Sequence, residues 1–214
     1  YDDTLRRTKA LAYVSAALSI STAGTPVIAG FLGEISVELV MLLPCLAIPL
    51  ALYIWRYIPL KSTPSTDEPL REYLLKTIQS VTQRDILTVI FLTFITFSLL
   101  FGTMATFLPI LADMRFHASS ATIGFVFSIA SLGTLTGTIW ISRNLSRLSP
   151  YYLLLTGYSL FTIALITIPW IPFLPLLLLP VFLWGLGQGL NGPILNTIML
   201  NYAPPQNRGG LLAV

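Results

Sequence analysis

An all-α membrane protein that crosses the bilayer six times and begins a seventh crossing is predicted by three observations on this chain of 214 residues. Hydrophobic residues make up 55% and charged residues 10%, against about 25% charged in a soluble domain. Such a composition cannot cover a soluble surface. Apolar runs recur at close to the length of about 20 residues that crosses roughly 30 Å of hydrocarbon. Lysine and arginine lie singly between those runs and form no patch, which argues against a nucleic-acid surface and marks topology instead.

After a charged opening (Asp2, Asp3, Arg6, Arg7, Lys9), the spans are expected at 10–32 and 37–55. The turn between them, Gly33-Glu34-Ile35-Ser36, is short enough only for an antiparallel hairpin of helices. Residues 56–85 then form the one long stretch in which polar residues outnumber apolar ones. Its first part, STPSTDEP at 62–69, is loop chemistry, while Leu70, Tyr73, Leu74, Ile78 and Val81 recur at helical spacing. They predict a short amphipathic helix, lying on the membrane face or packed on the span ends. Asp85 suits a helix N-cap. Further spans follow at 86–111, 122–141, 152–170 and 174–200, and a new apolar run starts at Leu211. The opening at Tyr1 without methionine and the stop within that run lead us to expect an internal piece of a longer protein.

Alternate loops share a side of the membrane. One set carries Arg6, Arg7, Lys9, Arg56, Lys61, Arg71, Lys76, Arg84, Arg143, Arg147 and Arg208; the other carries Arg115 alone. The first set is therefore expected in the cytoplasm, with Glu34, Glu38, Asp113, Arg115 and His117 outside. His117 is read as solvated. The single cysteine, Cys45, sits in an apolar run and is read as a small buried hydrophobe, with no disulfide, metal or redox pair. No Asp, Glu, Lys, Arg or His falls in the core of a span. A membrane-embedded enzyme lacks its acid, base, nucleophile or metal ligand here, and neither cofactor nor metal is expected.

Two features remain for function. In the first span Ala12, Ala16, Ser19, Ala23, Pro26 and Gly30 follow at steps of three and four, so one face is nearly bare of bulk and Pro26 adds a kink. Small faces let helices approach closely in lipid; close packing alone is the other reading. Elsewhere polar groups lie at membrane depth, where amides are costly unless paired or hydrated. Thr96, Thr103 and Phe107 lie at i, i+7 and i+11 on one predicted face, and Trp184, Gln188 and Asn191 at i, i+4 and i+7, with Asn196 beyond. They either bond neighbouring helices or line a cavity. Ala130, Gly133 and Gly137, with Gly185 and Gly189, look like packing surfaces.

The run Ser21-Thr-Ala-Gly-Thr-Pro-Val-Ile-Ala-Gly30 resembles the fifth-helix signature of drug–proton antiporters in the major facilitator superfamily. Pro26 and Gly30 match it outright. Ala12, Ser21, Thr25 and Ala29 stand where that family has glycine, keeping its size but not its identity. Ser142-Arg-Asn-Leu-Ser-Arg-Leu-Ser149 is similar to a degraded basic loop motif between helices eight and nine, retaining Arg143 and Arg147. Pro204, Pro205, Arg208 and Gly209 resemble the loop between helices ten and eleven. The resemblance covers the whole chain as helices five to ten of twelve, a partial major-facilitator fold. It implies that 1–55 are the last two helices of an N-terminal bundle, 56–85 a cytoplasmic linker, and 86–214 the first four helices of a C-terminal bundle with the start of the fifth.

What the resemblance implies is secondary transport of a small organic molecule by alternating access, with protons as coupling ion and efflux of drug-like compounds. The motif helix (Ser21, Thr25, Pro26, Ala29, Gly30) would work at the interface between halves, opposite the helix of Gly133 and Gly137. Thr96, Thr103, Phe107, Trp184, Gln188 and Asn191 would line the substrate cavity, whose uncharged aromatic and amide character suits an apolar or weakly polar compound. A proton-carrying group would then have to lie outside this piece. The expected setting is the cell membrane, as a monomer in lipid. The alternative is a polytopic scaffold or sensor that transports nothing.

Overall fold

The computed structural model describes residues 20–57, 84–144 and 149–202, and these form helices joined by short links. They comprise α1 (Ile20–Ile35), α2 (Val37–Tyr57), α3 (Ile86–Phe116), α4 (Ser120–Asn144), α5 (Pro150–Trp170) and α6 (Leu174–Tyr202). All but α1 are long and apolar enough to cross a membrane. The fold is an all-α polytopic one, as expected. The start of the first expected span, the amphipathic helix of the linker, the Asp85 side chain, Arg147 and Arg208 lie outside the described residues.

The helix ends follow local chemistry. Ser36 caps α2, accepting from the Leu39 N–H at 3.3 Å, and Pro44 sits in a tighter turn over Leu43–Leu46 where its missing N–H is tolerated. At the end of α3, His117 adopts the left-handed conformation (φ 49°). Its N–H bonds to Asp113 O at 2.9 Å, and that of Ala118 to Ala112 O at 3.2 Å. The bond from the left-handed residue to the carbonyl four back is the αL cap that stops a helix, so His117 has a structural task and is exposed. Pro150 opens α5 at the helix position where proline fits best.

Helix α6 is the hub. Half of its apolar window is buried, against none of the α2 window. Met104 and Leu108 from α3, Val126 and Ala130 from α4, Phe161 and Ala164 from α5, and Leu177, Val181 and Trp184 from α6 form the main core. Ile86 and Val89 of α3 meet Leu195 of α6 at one end. At the other end Arg115 of α3 donates to the Pro169 carbonyl of α5. Chain direction alternates through the bundle, so Glu34, Arg115 and Ser120 share one end while Arg84 and Arg143 mark the opposite one.

Packing of α4 on α6 is backbone against backbone. A Cβ on Gly137 would lie 2.6 Å from Leu186 O, and one on Gly133 or Gly185 would collide with Phe182 O or Ala130 O. In lipid, where no hydrophobic drive separates helix from solvent, this approach is what dispersion needs. Gly133 and Gly137 were expected opposite the motif helix; they lie against α6. Helix α4 has two small faces a partial turn apart, and Gly133 and Gly137 occupy the one turned toward α6.

Helix α3 also departs from the expected pattern. From Leu99 to Phe107 it winds as a π-helix, with the Thr106 hydroxyl bonding Phe101 O five residues back at 2.8 Å. The wider turn rotates later residues relative to earlier ones. Thr96 is therefore 3% exposed and Phe107 64% exposed, so the two do not share a face. The buried series becomes Thr96, Met104, Leu108 and Ala112. Cys45, expected to be buried, is exposed, because α2 buries no residue against the other described helices.

Candidate functional site

Two arrangements stand out, the contact between α1 and α4 and a polar stripe along α6. In the first, the bare face of α1 lies directly on α4. A Cβ on Gly124 would strike the Pro26 carbonyl, and one on Gly30 would stand 2.6 Å from Ser120 O. With the backbones so close, hydroxyls of α4 reach α1 carbonyls: Ser128 Oγ donates to Ala23 O at 2.6 Å and Ser131 Oγ to Thr22 O at 2.8 Å. At the Glu34 end, Glu34 Oε1 accepts from the Ala121 N–H at 3.4 Å. A carboxylate there meets the unpaired N–H groups and positive dipole end of α4. Pro26 and Gly30 thus sit in the contact. Ser21 and Thr25 lie on the exposed side of α1, their hydroxyls 3.4 Å apart, and Ala29 is half-buried.

The second arrangement lies where α6 meets α5. Trp184 is 3% exposed and stacks on Phe161, with centroids 5.5 Å apart. Asn191 is fully buried against Gly157, where an added Cβ would run into the Asn191 amide. The Trp184 Nε1, the Gln188 Oε1 and both amide atoms of Asn191 are buried without a hydrogen-bond partner. Buried polar groups are paired in the great majority of cases, and an unpaired one demands an explanation. Four such atoms, all on one stripe of one helix, mark a place where donors and acceptors are held ready.

The remaining expected cavity residues are spread around this stripe. Thr96 Oγ1 bonds Tyr158 Oη at 2.9 Å, and Tyr158 also donates to Leu92 O at 2.9 Å, tying α3 to α5. Tyr158 in turn meets Phe161 edge-on. A groove of about 350 Å³, lined by Thr88, Leu92, Tyr151, Leu155, Tyr158 and Ile198, leads to it from the Arg84 end. Thr103 and Phe107 line a separate groove of about 150 Å³ toward the Glu34 end, facing Leu165 and Ile168. Arg143 is exposed at the end of α4. The structure brings Trp184, Gln188 and Asn191 onto one stripe, and leaves Thr103 and Phe107 apart from it.

Sequence reasoning missed Tyr158, Gly157, Ser128 and Ser131. Mid-span serines at i and i+3 beside Gly124 were the available signal for the last two, and a Gly-Tyr pair at membrane depth for the others. Among the described residues, no group of His, Cys, Asp or Glu is placed to hold a metal ion.

Residues 4–214 match the family model of the Major Facilitator Superfamily. The chain belongs to that superfamily. The match spans almost the whole chain and agrees with the all-helical, apolar fold, so this is an integral membrane transporter by family. Neither a curated protein nor a solved structure matches it.

Proposed function

We propose that this transporter moves a small, uncharged organic molecule by alternating access, its two bundles rocking about a central site. The observation that carries this reading is the α6 stripe of Trp184, Gln188 and Asn191, whose buried donors and acceptors have no partner in the bundle. An arrangement that opens the stripe to a polar ligand or water would satisfy them. Helices α1 and α2 then belong to one bundle and α3 to α6 to the other, with 56–85 as the cytoplasmic tether and the Glu34 end outside. The small face of α1, carrying Pro26 and Gly30, supports drug–proton antiport as the mode, with efflux from the cell. The lining offers hydrogen bonds and ring stacking without fixed charge, which suits a weakly polar compound.

The test is cysteine labelling at Gln188 and Asn191 in a Cys45→Ser background of the full protein. Reaction with a small water-soluble thiol reagent, slowed by a transported compound, is the expected result. Complete inertness at both positions under every condition would contradict the cavity and favour a scaffold.

A further inference from the structure

The start of a helix has four backbone N–H groups without a partner inside the helix, and in α4 acceptors from two different elements serve it. Ser119, just before Ser120, is the local one: its carbonyl accepts from the Ile123 N–H at 2.9 Å and its hydroxyl from the Thr122 N–H at 3.3 Å. The Ala121 N–H goes instead to Glu34 Oε1 of α1, at 3.4 Å. The start of α4 is thus completed by a carboxylate from another helix.

That carboxylate is misplaced on its own helix. Glu34 lies in the last turn of α1, where the carbonyls make the negative end of the dipole and a cation is the favoured residue. The start of α2 close by has acceptors of its own, the Ser36 hydroxyl and Glu38 in the first turn. Arg115, a cation at the same end, donates to the Pro169 carbonyl of α5. What suits Glu34 is the positive end of α4, which Gly30 and Gly33 let it approach: Cβ atoms built on them would stand 2.6 Å from Ser120 O and 3.3 Å from Ser120 Cβ. The bond lies at an exposed position, so water serves both partners when the helices part. The preference for contact is then small enough to be reversed in every cycle.

We infer that Glu34 is a positioning residue of the transport cycle. It is a cap that α1 supplies to α4 only while the two helices are together, so its charge favours closure at the Glu34 end. This inference rests on the reading of α1 and α4 as parts of two moving bundles.

The experiment measures distances between spin labels on cysteines at Met41 and Met114, both exposed, in the Cys45→Ser full protein in zwitterionic lipid. Glu34→Ala is expected to lower the closed-to-open ratio roughly 2- to 5-fold, the range implied by one charge at an exposed helix end. Glu34→Lys, which suits the end of α1 but repels the start of α4, is expected to lower it further. Salt screens such a charge, so raising it from about 0.01 M to about 1 M is expected to bring the wild-type ratio down toward that of Glu34→Ala. Glu34→Gln, equal in size but uncharged, is expected to lack that response. An unchanged ratio in Glu34→Ala, a rise in Glu34→Lys, or an equal salt response in wild type and Glu34→Gln overturns the inference. Gly124→Leu, a wedge against the Pro26 carbonyl, separates the two claims. If it opens the ends while Glu34→Ala does not, only the inference fails; if it leaves a single distance, the moving-bundle reading fails with it.

Discussion

At the residue scale, the central fact is an amide that folding leaves unsatisfied. Asn191 is fully buried with neither amide atom paired, and a buried polar group without a partner costs about 1–3 kcal/mol. Leucine has nearly the same shape and no such cost. Asn191→Leu is therefore expected to raise stability by about 1–3 kcal/mol, seen as a higher unfolding midpoint in detergent, while transport is lost. A less stable variant with full transport would mean that the amide serves packing. The polar stripe itself was legible in the sequence, because Trp184, Gln188 and Asn191 share a face of a regular helix. Tyr158 was not, since its role depends on Thr96 and Leu92 of a helix more than sixty residues away in sequence.

Each element of the bundle could be placed from the length and composition of the apolar runs, and the described spans begin and end within a few residues of expectation. Two things could not be placed. The π-helical stretch of α3 breaks the assumption of uniform winding on which face assignment rests, so Phe107 left the face of Thr96. The direction of each glycine face of α4 depends on partners, and a small stripe does not name the helix it meets. Gly133 meets α6 within the bundle and Gly124 meets α1, which separates their expected phenotypes. Gly133→Leu forces apart two helices that share a core; it is expected to destabilise the fold by about 1–3 kcal/mol or more and to lower the yield of folded protein. Gly124→Leu is expected to leave the α3 to α6 bundle intact, with a near-normal unfolding midpoint, and to impair transport. Equal loss of folded protein in both would show that α1 and α4 form a single core.

For the whole molecule, composition alone led to the bilayer, and the match over residues 4–214 agrees with the resemblance read from Pro26 and Gly30 at the superfamily level. The described helices are held by close approach at small residues and by hydroxyl bonds together with the packing of apolar side chains in the core, and it is the close approach that gains in weight where the solvent is hydrocarbon. Among the described residues, the α1–α4 contact includes close backbone approach and the bonds at Ser128, Ser131 and Glu34. In the proposed cycle of rocking bundles this contact has to part. A Cβ built on Gly33 stands 3.3 Å from that of Ser120, close to the spacing of about 3.5–4.5 Å across a disulfide. The most direct measurement is thus transport by the Gly33→Cys/Ser120→Cys protein, with Cys45→Ser, in vesicles before and after oxidation. The account predicts that cross-linking stops transport and that reduction restores it; transport continuing at full rate through completely cross-linked protein would contradict it.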